Sequence, residues 1–139
     1  MTRTMYATLA FAAAVAFSGP AFAEKLKATL DGKSEVPANT SAAKGTADLD
    51  YDAASKKLTW KVTYSGLSGP ATAAHFHGPA EAGKNAGVAV PIPNAGTSPV
   101  EGSATLTDAQ AADLLAGKLY VNIHTAANPG GEIRGQVMK

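Results

Sequence analysis

Cysteine is absent from all 139 residues, which excludes disulfides, thiolate metal sites and thiol nucleophiles. An excess of either charge is also missing, since twelve Lys/Arg stand against eleven Asp/Glu. That balance offers neither the basic footprint of a nucleic-acid binder nor an acidic disordered tail, so no nucleic-acid partner is expected. No apolar run reaches the about 20 residues that span a membrane. The longest, Ala7 to Phe17, is broken by Ser18, Gly19 and Pro20. Gly-x-Ser-x-Gly, phosphate-binding and dinucleotide-binding motifs do not occur, which removes the commonest hydrolase and nucleotide chemistries.

The first 23 residues fit an export leader. Arg3 gives a short cationic lead, the apolar stretch follows, and Ala21-Phe22-Ala23 supplies the small-x-small pattern of a cleavage site. Cleavage is expected after Ala23, leaving residues 24–139 as one periplasmic or secreted domain with no membrane anchor. Arg3 is the only charged residue lost, so the remaining 116 carry eleven basic and eleven acidic groups. Without disulfides, a small exported domain must be held by its core, by a metal or by association.

The dominant pattern has period two. Leu58, Trp60, Val62 and Tyr64 alternate with Lys57, Thr59, Lys61 and Thr63, as in a strand with one face in a core and one toward water. Leu26, Ala28 and Leu30 alternate in the same way, as do Ala47, Leu49 and Tyr51, with Asp48, Asp50 and Asp52 forming a solvated acidic face. Further strands are predicted at Thr72–His77, Gly87–Ile92, Val100–Leu106, Lys118–His124 and Glu132–Val137, separated by Gly, Pro and Asn. About eight short antiparallel strands in one domain mean an all-β sandwich or barrel. One short helix interrupts them, with Thr107 and Gln110 placed for a capping box and Gly117 placed to end it. The segment Glu81–Ser98, rich in Gly, Pro and Ala, is predicted to form an extended surface loop. Glu132 and Arg134, two apart on one strand, are expected to make an exposed ion pair of little energetic weight.

The chemistry-bearing residues are the three histidines. His75 and His77 lie at i and i+2, so they share a strand face, while Phe76 between them turns to the core. In Leu119–Thr125 the apolar Leu119, Val121 and Ile123 share one face, and Tyr120, Asn122 and His124 share the other. All three imidazoles thus leave the non-core faces of strands. Neutral imidazole is a preferred ligand for copper, zinc and nickel, and a His-x-His strand delivers two nitrogens in fixed geometry. The same pattern also fits a polar strand surface with His124 unrelated.

The blocks Ala74–Ala80 and Tyr120–Thr125, followed by Asn128–Gln136 and preceded by Leu26–Pro37, resemble the CHRD domain, a module named from chordin and found in bacterial exported proteins. The resemblance covers residues 24–139. It implies a Greek-key β-sandwich similar to that of the copper-zinc superoxide dismutases, in which a His-x-His pair and a later histidine bind copper. Carried over by position, His75, His77 and His124 are the implied metal ligands. The loop from Gly78 to Ser98 contains no histidine and only one carboxylate, Glu81, so a second, bridged metal is not expected. A single copper ion, as Cu(II), is the cofactor implied, with zinc chemically admissible. A ligating imidazole donates its other N–H to a nearby acceptor, and Asn122, Thr125 and Glu132 are close enough in sequence to serve. Arg134 is placed to stand beside the site.

Three functions remain open at this point. The first is an exported protein holding one copper ion for handling or protection. The second is a non-catalytic module that binds a protein partner or itself, with Tyr120, Trp60 or the Glu81–Ser98 loop in contact. The third is a copper redox enzyme of the superoxide dismutase kind, for which the bridging imidazole has no counterpart.

Overall fold

The computed structural model describes residues 23–139. The expected leader lies outside them except for Ala23. Eight strands follow the chain as β1 (Glu24–Asp31), β2 (Lys44–Asp52), β3 (Lys57–Ser65), β4 (Ala71–His77), β5 (Val88–Ile92), β6 (Val100–Thr105), β7 (Tyr120–Thr125) and β8 (Ile133–Gln136), with α1 (Asp108–Leu115) between β6 and β7. They form one antiparallel sheet in the order β5-β4-β7-β8-β1-β2-β3-β6, curled into a nearly closed barrel. The chain passes between non-neighbouring strands three times, from β3 to β4, from β5 to β6 and from β6 to β7. Those crossovers bring β4 beside β7.

The period-two segments behave as their sequences require. Leu26, Ala28 and Leu30 of β1 and Leu58, Trp60 and Val62 of β3 are buried, and the alternating residues are exposed. On the outer face Lys25 stands opposite Asp50 and Lys27 opposite Asp48, with N···O distances of 2.9 and 3.5 Å. Such exposed pairs fix register more than they stabilise. Phe76 enters the core fully and packs on Trp60 with ring centroids 5.3 Å apart. Trp60 is 2 % exposed, as is Tyr120, so neither can be a contact residue on a free surface.

The helix starts as the capping box dictates. Thr107 Oγ1 accepts from the Gln110 N–H at 3.1 Å, and Gln110 Oε1 accepts from the Thr107 N–H at 3.0 Å. Gln110 Nε2 also donates to the Ala89 carbonyl at 2.8 Å, satisfying one acceptor on the edge strand β5. Gly117 follows the helix at φ +74°, the left-handed conformation that favours glycine at a helix end. The segment Glu81–Ser98 is not one loop. Strand β5 divides it, because Val90 and Ile92 are buried against β4.

Strand β7 departs from simple alternation, since every residue from Tyr120 to Thr125 is buried. Its inner face packs in the core, and the side chains of its outer face bond to the adjoining loops, Tyr120 to Ala86, Asn122 to Gly130 and His124 to Pro129. The histidines lie on that outer side.

Candidate metal centre

The β4–β7 register places Ala73 opposite His124, His75 opposite Asn122, and His77 opposite Tyr120. His75 and His124 are therefore diagonal neighbours on the outer face, within side-chain reach. A register shift against β5 falls between Phe76 and His77, and a bulge of this kind re-aims the side chain beside it. One donor atom from each of His75, His77 and His124 lies within 4.8 Å of the other two. His77 and His124 are each 9 % exposed, and His75 is half-buried.

The imidazole tautomers follow from their partners. His77 Nδ1–H donates to the Ala86 carbonyl at 3.0 Å, and His124 Nδ1–H donates to the Pro129 carbonyl at 2.9 Å. Each therefore keeps its Nε2 lone pair free, as ligation requires. His75 Nδ1 faces His124 Nε2 at 3.0 Å. Without a metal this contact is a hydrogen bond donated by His75. Burial holds the His75 and His77 pKa values below the ordinary imidazole value, and the neighbouring imidazoles add to the effect. At neutral pH both rings are uncharged.

Two stacked groups hold His77 in place. The Tyr120 ring lies parallel to its imidazole with centroids 4.9 Å apart, and the Arg134 Cζ sits over the Tyr120 ring, 3.5 Å from its centroid. The Tyr120 hydroxyl accepts from the Ala86 N–H at 3.1 Å and donates to the Ala86 carbonyl at 3.2 Å. Arg134 donates to Asn85 Oδ1 at 2.8 Å and to the Lys84 carbonyl. Together these bonds fix the loop that carries the acceptor for His77.

Glu132 and Arg134 correct the sequence-based expectation of an exposed ion pair. They are 0 % and 2 % exposed, and no ion pair among the described residues involves either. Glu132 precedes β8 and accepts from Ser41 Oγ at 2.9 Å, Ser68 N–H at 3.0 Å, Thr125 Oγ1 at 2.8 Å, Asn128 Nδ2 at 3.1 Å and Ser68 Oγ. Burial alone raises a carboxyl pKa, but these donors outweigh it and pull Glu132 down to about 2. Thr125 is spent on that carboxylate. The imidazole N–H acceptors are thus backbone carbonyls of Ala86 and Pro129, with Thr125, Glu132 and Arg134 shaping the loops that present them. Asn122 stays beside the rings, where it opposes the effect of burial on His77.

Sequence reasoning missed Glu35. It is 5 % exposed, and burial pushes its carboxyl up to about 7 while Arg134 acts in the opposite direction. Its only sequence signal was its place in the Leu26–Pro37 block.

A barrel whose outer face gathers three imidazoles defines an all-β module with a candidate transition-metal centre. The CHRD domain family matches residues 26–137, so the chain belongs to that family. Comparison with curated proteins and with solved structures found no match.

Proposed function

We infer that this chain is an exported CHRD-domain protein that holds one copper ion through His75, His77 and His124, for copper handling or protection. The observation that carries the reading is the convergence of the three ring nitrogens, with the His77 and His124 Nε2 lone pairs turned inward. His77 Nε2 adds a second argument, because it is buried with no hydrogen-bond partner, which is costly unless something electron-poor meets it.

The donor spacing fits one ion. Two nitrogens 3.0 Å apart, each about 2.0 Å from a common metal, subtend roughly 100°. Two nitrogens on one such ion are at most about 4 Å apart, so a modest ring rotation closes the widest pair. Three neutral nitrogens and a divalent cation favour cupric ion, which heads the divalent affinity order and accepts near-right-angle donors; zinc suits the same atoms. Bound copper supplies Lewis acidity and a one-electron couple. The chain's own part is to hold His75 and His77 neutral, fix the His77 and His124 tautomers with carbonyls, and shield the site beneath two loops. Export agrees with the family's occurrence in extracellular proteins and with the leader pattern of residues 1–23.

Thermal unfolding with and without cupric ion tests this reading. At pH 7.5 a free ion concentration one hundred times Kd stabilises by about 2.7 kcal/mol, a rise in Tm on the order of 10 °C. Protons compete for the same nitrogens, so the rise fades below about pH 6 as the imidazoles charge. An absent shift at pH 7.5, or one of equal size at pH 5, contradicts the assignment.

A further inference from the structure

Three buried side-chain atoms around the imidazoles lack hydrogen-bond partners: His77 Nε2, Asn122 Oδ1 and Glu35 Oε1. One unmet buried acceptor costs about 1–3 kcal/mol, so three in one neighbourhood need a cause. The strand register supplies the geometry. Asn122 stands directly opposite His75, diagonal to His77, and two residues before His124 on the same face of β7. Its side chain therefore rises among the three rings.

The amide has a fixed sense. Asn122 Nδ2 donates to the Gly130 carbonyl at 3.4 Å. The Glu35 carboxyl lies on that same side, because a Cβ built on Gly131 falls against both Glu35 Oε1 and Asn122 Nδ2. Gly131 adopts φ +128°, so a side chain there is excluded by space and by backbone conformation. With its NH2 turned toward Gly130 and Glu35, Asn122 presents its carbonyl oxygen to the other side, where the imidazoles are. His77 Nε2 is likewise an acceptor, since its Nδ1 carries the proton. Two buried lone-pair atoms with no donor between them are explained by a cation that meets both.

We propose that Asn122 Oδ1 is the fourth donor to the ion held by His75, His77 and His124, with Glu35 as the positioning residue that keeps the Asn122 amide turned toward it. The proposal rests on the metal-binding function above. It makes the donor set three nitrogens and one neutral oxygen, leaving the full divalent charge on the ion. Such a set suits cupric ion with a weaker oxygen partner, and disfavours the soft cuprous ion, which selects sulfur.

Equilibrium titration of the purified protein with cupric ion, followed by electron paramagnetic resonance, tests it. Asn122→Ala is expected to keep one-equivalent uptake, raise Kd at least about tenfold, and change the parallel g value and copper hyperfine splitting. Asn122→Asp keeps an oxygen in place, binds at least as tightly as wild type, and shows an altered spectrum. Glu35→Leu weakens uptake, whereas Glu35→Gln, which keeps a polar carbonyl beside the Asn122 amide, restores it. Wild-type affinity and spectrum in Asn122→Ala overturn the proposal while leaving the three-histidine centre standing. If Asn122→Ala does not fold, an unchanged spectrum in Asn122→Asp overturns it equally. No uptake by the wild-type chain removes both readings together.

Discussion

Replacing His124 by alanine is expected to abolish stoichiometric cupric uptake, and His77→Ala to do the same, with the fold retained in both. Each removes one of the three clustered donors, a ring aimed by a backbone carbonyl at its other nitrogen. The affinity loss should exceed the ten- to hundredfold that follows removal of a supporting hydrogen-bond partner. His75→Ala also breaks the centre, but it takes away the most exposed ring of the three. Equilibrium dialysis with far-ultraviolet circular dichroism as the folding control checks all three. Retained one-equivalent binding in His77→Ala and His124→Ala means that copper sits elsewhere.

The second large effect concerns stability. Glu132→Ala is expected to cost about 1–3 kcal/mol in urea unfolding, since it strands the buried Thr125 hydroxyl and releases the half-buried Ser41 and Asn128 and the exposed Ser68 from their shared acceptor. Those donors come from three separate stretches of chain, at Ser41, at Ser68, and at Thr125 and Asn128. The last stretch continues to Pro129, the acceptor for His124, so the same variant should also weaken metal binding. Because the folded carboxyl is depressed to about 2, its contribution is fully present above the ordinary value of 4.5 and disappears as pH falls from there toward 2. Glu132→Gln should therefore flatten the acid limb of the stability profile. A change within about 0.5 kcal/mol, the usual range for an ordinary surface site, contradicts the role given to this residue.

Much of the barrel could be anticipated because a half-buried strand writes its two faces into the sequence. Leu58, Trp60 and Val62 point inward by simple alternation, and Phe76 between two histidines follows the same rule. The shared outward direction of His75 and His77 needs nothing more. Their approach to His124 depends on β4 pairing with β7 across a crossover, which no local pattern encodes. Glu132 and Arg134 show the opposite limit. Alternation placed them on the outer side correctly, but it equates that side with solvent. Loops with no periodicity of their own cover it here, and they convert two expected surface charges into a buried anion held by neutral donors and a buried guanidinium stacked on Tyr120. The Ala86 and Pro129 acceptors were illegible for a related reason, since a backbone carbonyl can belong to any residue type. Glu35 was hidden because a lone glutamate near a proline is normally a surface residue, and only the folded register brings it to Asn122.

The central claim is that three imidazoles bind one metal ion, and cupric titration monitored by electron paramagnetic resonance addresses it most directly. The account predicts saturation at one equivalent, with nitrogen hyperfine structure from three equatorial or near-equatorial imidazoles that is lost in the His75, His77 and His124 alanine variants. Unsaturable uptake, or a signal unchanged when those histidines are removed, contradicts it.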